Sequence, residues 1–371
     1  MGYKNYFQSL DWETVKNQIK DKKAPDVKEA LKNAGQGNLN DLMALLSPAA
    51  ELFLEEMAQI SHQLTKKRFG KTIQMYIPLY LSNECVNSCL YCGFRKENGG
   101  KRITLSIEEV LNEVEIIKRA GFDHLLLVTG EHPGKAGVDY LSAVIKAIRA
   151  LFSHISIEVQ PLETTQYEEL IRLGLNTVLV YQETYNRDQY KQFHPQGKKS
   201  DFDFRLDTPD RLGKASIYKI GLGCLLGLED WRTDSWFVGS HLRFLEKRYW
   251  KTKFSISFPR LRPAMGSLEP EYPLNDRELL QVILAYRIFN ENVELSLSTR
   301  ESRQFRDHVI KLGITTLSAG SKTEPGGYAL NQDRLKQFEV HDERSSIEVA
   351  RMIQAQGYES VWKDWEAYYG I

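Results

Sequence analysis

The 371-residue chain contains only four cysteines, too few for the disulfide framework that stabilises many secreted proteins. It carries no excess charge of either sign, because 49 Lys and Arg residues balance 49 Asp and Glu residues. It therefore has no net field that would attract nucleic acid or anionic lipid, and a short basic run such as 198–199 is expected to be solvated. No apolar run reaches membrane-spanning length, and the first residues lack a signal-peptide core. We expect a cytoplasmic protein with no nucleic-acid and no membrane partner.

Three of the four cysteines lie in one short segment. Cys85, Cys89 and Cys92 have the spacing C-x3-C-x2-C. Three thiolates can bind three irons of a [4Fe–4S] cluster and leave the fourth iron open, whereas the cysteine runs of ferredoxins cover every iron. An open iron can bind the amine and the carboxylate of S-adenosylmethionine, and Tyr91 offers an aromatic ring for the adenine. The segment therefore predicts a [4Fe–4S] cluster that binds S-adenosylmethionine.

A structural zinc site is the alternative use of these cysteines. The fourth ligand would be a histidine, and the nearest are His62, His124 and His132. None of them has the short paired spacing of zinc modules. The remaining cysteine, Cys224, is interpreted as a buried small apolar residue, which leaves too few cysteines for a second cluster.

Apolar segments alternate with amphipathic segments from residue 73 to residue 321. The predicted strands are Ile73–Leu81, His124–Gly130, Ile155–Pro161, Thr177–Glu183, Lys219–Leu228, Lys253–Arg260, Glu294–Thr299 and Thr315–Ser321. The predicted helices between them are Ser106–Ala120, Val138–Phe152, Thr164–Leu173, Ser235–Tyr249, Asp276–Asn290 and Arg303–Leu312. Eight consecutive units over about 250 residues favour a closed (β/α)8 TIM barrel, an α/β fold; an open doubly wound sheet is the alternative.

The segments on either side of the barrel have a different pattern. Residues 1–72 predict an N-terminal helical extension with helices at Leu10–Lys20, Asp26–Ala34 and Leu39–Phe69, where apolar residues recur at helical spacing. Residues 73–323 are assigned to the barrel. Residues 324–371 form a C-terminal segment with a helix at Ser346–Gln356 and an aromatic tail, and we expect this segment to pack on the barrel.

Polar residues follow several of the predicted strands. The C-terminal ends of the strands form the working face of a TIM barrel, and the cysteine segment follows the first strand. The residues expected to contact S-adenosylmethionine are Tyr91, Thr129, Gly130, Glu131, Glu158, Gln160 and Arg205. Gln182, Arg300, Ser318 and Ser321 are expected to contact the substrate. An arginine near hydroxyls is suited to bidentate capture of a carboxylate, so we expect an amino-acid substrate.

Longer segments of the chain share a known pattern. They are Pro78–Asn83, Cys89–Phe94, His124–His132, Glu158–Leu162, Val180–Tyr185, Thr208–Gly213, Leu295–Glu301 and Ser321–Tyr328. These segments resemble the radical SAM tyrosine lyases of thiamin biosynthesis, the 2-iminoacetate synthases. The similarity extends over nearly the whole chain, and it is far more specific than the cysteine spacing alone.

The resemblance implies a mechanism and a set of partners. A 5′-deoxyadenosyl radical would abstract a hydrogen from L-tyrosine, and cleavage of the Cα–Cβ bond would give 2-iminoacetate (dehydroglycine) and p-cresol. Cys85, Cys89 and Cys92 would bind the cluster, while Glu183 and Tyr185 are candidates for moving protons near the phenol. The imine would pass to thiazole synthase, and a flavodoxin or ferredoxin would donate electrons.

Other functions stay open at this point. The tyrosine lyase that matures [FeFe] hydrogenase shares the core but adds a C-terminal segment with further cysteines, and no cysteine follows Cys224 here. A tryptophan lyase of the same architecture, a radical SAM enzyme with another amino-acid substrate and a zinc-stabilised scaffold without catalytic activity are the remaining alternatives.

Overall fold

A parallel barrel forms the centre of the computed structural model, which describes residues 2–329 and 334–363. The strands are β1 (Thr72–Ser82), β2 (His124–Thr129), β3 (His154–Glu158), β4 (Thr177–Leu179), β5 (Lys219–Gly223), β6 (Lys253–Ser257), β7 (Glu294–Leu297), β8 (Thr316–Ser318) and β9 (Glu359–Val361). Neighbouring strands from β2 to β8 pair in chain order, and β1 pairs in parallel with both β8 and β2. The sheet is therefore closed, which confirms the predicted TIM barrel over the open sheet.

Helices cover the outside of the barrel and precede it in the chain. They are α1 (Tyr3–Phe7), α2 (Trp12–Asp21), α3 (Ala24–Lys32), α4 (Leu39–Leu46), α5 (Leu54–Phe69), α6 (Ile107–Arg119), α7 (Val138–Ile148), α8 (Thr164–Arg172), α9 (Arg187–Phe193), α10 (Phe202–Leu206), α11 (Thr208–Lys214), α12 (Trp231–Arg248), α13 (Asp276–Phe289), α14 (Arg303–Val309) and α15 (Ser346–Ala355). None of the helices in the described ranges is long and apolar enough to cross a membrane.

Local sequence signals explain several of these boundaries. Helix α6 begins after Ser106, whose hydroxyl accepts a hydrogen bond from the backbone of Glu109, while the Glu109 carboxylate accepts one from the backbone of Ser106 at 2.8 Å. This reciprocal capping satisfies two of the free N–H groups at a helix start. The helix is followed by Gly121, which takes a φ of 94°, a left-handed conformation that glycine adopts without steric cost.

The structure also differs from the prediction in three places. The helix predicted over Leu39–Phe69 is interrupted after α4, because Pro48 has no backbone N–H to continue the ladder, and residues Pro48–Phe53 form a 3-10 helix instead. The long crossover after β4 holds three short helices, α9 to α11. A ninth strand, β9, pairs with the start of β1. The sequence does not predict it, because a strand of three residues is too short to show alternating hydrophobicity.

The N-terminal helices pack on one side of the barrel. Leu42 and Leu45 on α4 are fully buried. A Cβ on Gly239 of α12 would lie 2.3 Å from the Leu42 side chain, so the absence of a side chain there lets the two helices approach. The Gln281 amide of α13 donates to the carbonyls of Leu45 and Ser47 at 2.9 Å. The extension is thus tied to the barrel by apolar packing and by hydrogen bonds.

The described part of the C-terminal segment contacts the barrel, since β9 pairs with the start of β1. Trp362, after β9, packs edge-on against Phe122 with ring centroids 5.1 Å apart. The other aromatic residues predicted to pack there, Trp365, Tyr368 and Tyr369, lie outside the described residues. The limits proposed for the three parts of the chain stay predictions.

Candidate active site

The cysteine segment is held at the C-terminal mouth of the barrel by its backbone. It leaves β1 after Ser82 and is tied at three points to other segments: Val86 N–H donates to the Glu131 carbonyl at 3.0 Å, Leu90 N–H to the Phe193 carbonyl at 3.1 Å and Gly93 N–H to the Gln337 carbonyl at 2.9 Å. Cys85, Cys89 and Cys92 all line one cavity and form no disulfide. The structure therefore brings the three predicted thiols to one cavity.

The walls of this cavity fit the predicted cofactors. The hydroxyl of Thr129 is buried there without a hydrogen-bond partner among the described residues, so it is available to a bound group. A Cβ on Gly130 would lie 2.3 Å from the Glu84 carbonyl, so only glycine fits beside the cysteine segment. No three Cys, His, Asp or Glu side chains of residues 2–329 and 334–363 converge on a single metal position. A cubane does not need such convergence, because each cysteine binds a different iron.

Burial controls the protonation of the three thiols. It raises the pKa of Cys85 and Cys89 above the usual value and that of Cys92 to about 11. The Lys199 ammonium acts in the opposite direction on each. Metals bind the thiolate form, so iron binding here would release protons from the thiols.

A buried charge network forms another wall of the cavity. Arg205 donates to the Glu131 carboxylate at 3.0 Å and to the Glu183 carboxylate at 3.4 Å. The second Glu131 oxygen accepts from the amide of Asn87 at 2.8 Å, and Glu183 also accepts from Lys199 at 2.6 Å. Predicted residues Glu131, Glu183 and Arg205 are thus brought together, with two carboxylates balanced by two cations.

Glu183 is held in an unusual conformation within this network. Its φ is 71°, a left-handed value that costs a non-glycine residue about 1–3 kcal/mol and is concentrated at functional sites. Burial favours its neutral form, but Lys199 and Arg205 outweigh burial and hold the pKa of Glu183 below its ordinary value. Glu183 is therefore an ionised carboxylate that supports the network.

Tyr91 is fixed by a histidine of the crossover segment. Its hydroxyl lies 2.7 Å from Nε2 of His194, whose Nδ1 lies 2.8 Å from the Tyr190 carbonyl. The carbonyl can only accept, so Nδ1 carries the proton and the Tyr91 hydroxyl donates to Nε2. Burial lowers the pKa of His194 to about 3, which keeps the ring neutral. The predicted adenine-facing ring thus has a fixed orientation.

A second cavity continues from the first into the barrel. Its lining includes Arg300, Ser318 and Ser321, which the sequence predicts at the substrate. The two cavities share a wall made of Val128, Glu158, Tyr181, Pro259, Arg300, Gln337 and Phe338. The buried Ser321 hydroxyl has no hydrogen-bond partner among the described residues. A molecule in the second cavity would therefore meet both hydroxyl groups and a cation next to the cysteine cavity.

Three predicted site residues lie elsewhere. Gln182 lines neither of the two cavities, because successive residues of a strand point to opposite sides; its amide donates to the Phe202 carbonyl, and Tyr181 faces the cavities instead. Tyr185 is buried in the core, where its hydroxyl lies 3.0 Å from Nδ1 of His241. Gln160 lines a separate cavity behind Glu131. These three side chains do not line the two cavities, and their predicted contacts with cofactor or substrate stay predictions.

Other residues of the site were not predicted. Lys199 was expected in a solvated basic run, but its side chain is only 12% exposed and pairs with Glu183. Gln337 and Phe338 belong to residues 334–342, which we call the strap, and both line the two cavities. The strap has no periodic pattern, and only its contacts in the fold reveal its position. Tyr181 lies two residues after Leu179, the last residue of β4, so the alternation that begins in this strand could have indicated it.

Comparisons with known proteins agree with this site. The Radical SAM superfamily matches residues 79–234, which include the cysteine segment and the charge network. The Biotin and Thiamin Synthesis associated domain matches residues 257–359, which include most of the second cavity and the strap. The radical SAM match confirms the predicted [4Fe–4S] cluster and S-adenosylmethionine as cofactors.

Individual relatives extend over nearly the whole chain. It is 51% identical over 369 residues to 2-iminoacetate synthase of Escherichia coli, covering 99% of this chain and 98% of that protein. It is 50% identical to 2-iminoacetate synthase of Salmonella typhimurium over 98% of this chain and 97% of that one. The [FeFe]-hydrogenase maturase HydG from Carboxydothermus hydrogenoformans has a similar structure, with a TM-score of 0.85 at 30% identity, covering 96% of this chain and 81% of that chain. The chain therefore belongs to the 2-iminoacetate synthase family of radical SAM enzymes.

Proposed function

We propose that this protein cleaves the Cα–Cβ bond of L-tyrosine to give 2-iminoacetate (dehydroglycine) and p-cresol, and so supplies the imine for thiamin thiazole synthesis. Relatives that are 51% and 50% identical carry the name 2-iminoacetate synthase, which supports the product. The structural observation that carries the proposal is the wall shared by the cysteine cavity and the second cavity. A substrate held by Arg300 would therefore lie next to cofactors bound in the cysteine cavity.

The first cavity would hold the cofactors. When bound, the cluster and S-adenosylmethionine supply a 5′-deoxyadenosyl radical. Cys85, Cys89 and Cys92 would each hold one iron of the cluster. Thr129 offers a free buried hydroxyl and Gly130 a close approach to backbone, so both would contact S-adenosylmethionine. Each oxygen of a carboxylate has two acceptor positions, so Glu131 can still accept from an ammonium while it is bonded to Arg205 and Asn87.

The second cavity would hold the substrate by its carboxylate. The Arg300 guanidinium lies on the face of the Phe338 ring, 3.4 Å from its centroid, and donates one hydrogen bond to the Arg260 carbonyl at 3.3 Å. Arg300 lines both cavities, and no carboxylate of the described residues pairs with it. The Ser318 oxygen accepts from Thr299 N–H at 3.1 Å, so its hydroxyl proton can be donated. Arg300, Ser318 and Ser321 would therefore clamp the carboxylate.

The strap would keep water away from the imine. Gln337 N–H donates to the Thr323 carbonyl at 3.0 Å, and Glu339 N–H donates to the Pro263 carbonyl at 3.0 Å. The Thr323 hydroxyl donates to the Phe338 carbonyl at 2.8 Å. These bonds hold the strap in place, and its residues Gln337 and Phe338 line both cavities. An imine hydrolyses readily in water, so a covered site suits a reaction whose product must leave intact.

Several predicted partners stay part of this proposal. Thiazole synthase would receive the imine, and a flavodoxin or ferredoxin would donate the electron. Glu183 would act on the cofactor side through its pairs with Lys199 and Arg205. Tyr185 is not proposed as a proton carrier, because its hydroxyl is bonded within the core.

The test is an anaerobic assay of the reconstituted and reduced enzyme with S-adenosylmethionine and L-tyrosine. We expect p-cresol and 5′-deoxyadenosine, and neither product from Cys89→Ala. Arg300→Gln should raise the KM for tyrosine by about tenfold or more, since a charge-assisted hydrogen bond to the carboxylate is lost. Arg303→Gln is the matched control, because that side chain is 71% exposed in the same part of the barrel.

The products distinguish the alternatives. Deoxyadenosine without p-cresol would keep the radical chemistry and refute tyrosine as the substrate. An indole-containing cleavage product from tryptophan would identify a tryptophan lyase. An unchanged KM in Arg300→Gln would show that the carboxylate is bound elsewhere.

A further inference from the structure

Three glutamates line the cysteine cavity, and one differs from the others. Glu131 and Glu183 are hydrogen-bonded to Asn87, Lys199 and Arg205. The carboxylate of Glu158 has no hydrogen bond and no ion pair within the described residues. Glu158 lines both cavities, so its oxygens are open to a molecule bound between them.

The barrel geometry fixes the direction of this side chain. Glu158 is the last residue of β3 and is paired in register with Val128 of β2. Ser156, two residues earlier, also faces the barrel interior, and side chains two residues apart in a strand share a side. Glu158 therefore points into the mouth by its position in the sheet.

Arg300 is a cationic residue in the wall of both cavities that also contains Glu158. It is the cation with the largest electrostatic effect on Glu158. The two form no ion pair within the described residues, and Arg300 has no other carboxylate partner there. A cation and an anion that are buried in the same wall without partners cost free energy, unless a bound ligand pairs with both. A ligand that carries both opposite charges on substituents of one carbon is an α-amino acid zwitterion, with its carboxylate on Arg300 and its ammonium on Glu158.

We propose that Glu158 binds the amino group of the substrate and accepts its proton before the bond is cleaved. This inference rests on the proposed function and deepens it. The step is a proton transfer without a change of oxidation state: one N–H bond of the ammonium breaks, its electron pair stays on nitrogen as the lone pair of the neutral amine, and an O–H bond forms on Glu158. Hydrogen abstraction from nitrogen then acts on the neutral amine.

The electrostatics of the wall suit this role. Burial raises the pKa of Glu158, Arg300 opposes the rise, Glu183 adds to it, and Lys199 and Arg205 oppose it; the net pKa is about 7. Tyr76, Tyr80 and Tyr181 also face Glu158 and stay protonated, because burial raises the pKa of each hydroxyl. An acceptor with a pKa near neutrality is better matched to proton transfer at pH 7 than an ordinary glutamate.

The first test measures binding rather than turnover. Equilibrium dialysis of the enzyme loaded with cluster and S-adenosylmethionine compares L-tyrosine with 3-(4-hydroxyphenyl)propanoate, which lacks only the amino group. We expect Glu158→Gln to weaken tyrosine binding by about tenfold or more and to leave the desamino acid within about threefold of wild type. Glu115→Gln is the matched control, since that carboxylate is 61% exposed on the outer helix α6.

A second variant separates charge from shape. Glu158→Asp keeps an ionisable carboxylate, so its kcat/KM should still fall as the pH drops below about 7, as in wild type, because a protonated carboxylate cannot accept the proton. Glu158→Gln should lose this dependence. A structural role alone would not move the pH profile in this manner.

Either of two results would overturn the inference. Equal losses for tyrosine and the desamino acid in Glu158→Gln would show general damage to the cavity. Weaker S-adenosylmethionine binding with unchanged tyrosine binding would place Glu158 at the cofactor, the position that the sequence predicts for it. Failure of the proposed function is seen separately, as absence of p-cresol from the wild-type enzyme.

Discussion

Asp342 connects the strap to the barrel, and its replacement by asparagine tests how the mouth is held together. Its carboxylate accepts hydrogen bonds from Arg344 at 2.7–3.2 Å and pairs with Arg306 of α14. The side chains of Asp342 and Arg306 are 1% and 0% exposed. Arg306 also donates to the Ser318 carbonyl, so the pair links the strap to a predicted substrate residue.

Asp342→Asn keeps the shape of the side chain and removes its charge. Arg344 retains Asp307 as a partner at 2.8 Å, but Arg306 is left as a buried cation with no carboxylate partner among the described residues. Breaking one side of a buried ion pair costs about 3–5 kcal/mol. We therefore expect the free energy of unfolding to fall by about this amount at pH 7, measured by urea unfolding followed by circular dichroism.

Glu29→Gln is the control for this measurement. Its carboxylate pairs with Lys32, and both side chains are largely exposed, at 63% and 72%. Exposed pairs contribute about 0–1 kcal/mol, so the control should unfold close to wild type. A loss of less than about 1 kcal/mol in Asp342→Asn, indistinguishable from the control, would refute the assignment of the buried pair.

The same residue gives a pH dependence with a defined sign. Burial tends to raise the pKa of Asp342, but Arg344 and Arg306 outweigh burial and lower the pKa below its usual value. The folded state therefore binds this proton less readily than the unfolded chain. The stabilisation is fully present above pH about 4, the unfolded pKa, and is lost as the pH falls through the lower folded-state value. The difference between wild type and Asp342→Asn should shrink over that range.

Two further substitutions test the surroundings of the cysteine segment. A Cβ at Gly93 would lie 2.0 Å from the Lys336 carbonyl, so Gly93→Ala should displace the strap and speed its proteolytic cleavage. Gly99→Ala is the control, because a Cβ there would meet no atom within 4 Å. Equal cleavage rates in the two variants would contradict the contact between Gly93 and the strap. His194→Phe removes the acceptor that orients the Tyr91 hydroxyl, so S-adenosylmethionine should bind several-fold more weakly at unchanged iron content. Unchanged affinity would show that the ring is held by packing alone.

The residues near strand ends show how much of the site follows from sequence order. Glu131, Glu158 and Arg300 were predicted at the mouth because each lies at or just after the C-terminal end of a buried strand of a parallel barrel, and such ends meet at one face. Gln182 and Tyr185 failed the same rule. The rule predicts at which end of the barrel a residue lies, but it does not predict whether the side chain points inward. Strand β4 ends at Leu179, before Gln182 and Tyr185, so regular alternation does not set the direction of these two side chains.

The sequence by itself determined the barrel and the cysteine chemistry. The eight alternating units carry their own periodicity and helix caps, and C-x3-C-x2-C is local in the chain, so no distant contact is needed to recognise either. Only the tertiary structure decided which charges meet. Lys199 is buried against Glu183, Gln337 and Phe338 of the strap complete the two cavities, and Glu158 stays open while its neighbours are paired. Hydrogen bonds and ion pairs act over a few ångströms between residues far apart in the chain, and their pairing depends on the packed fold.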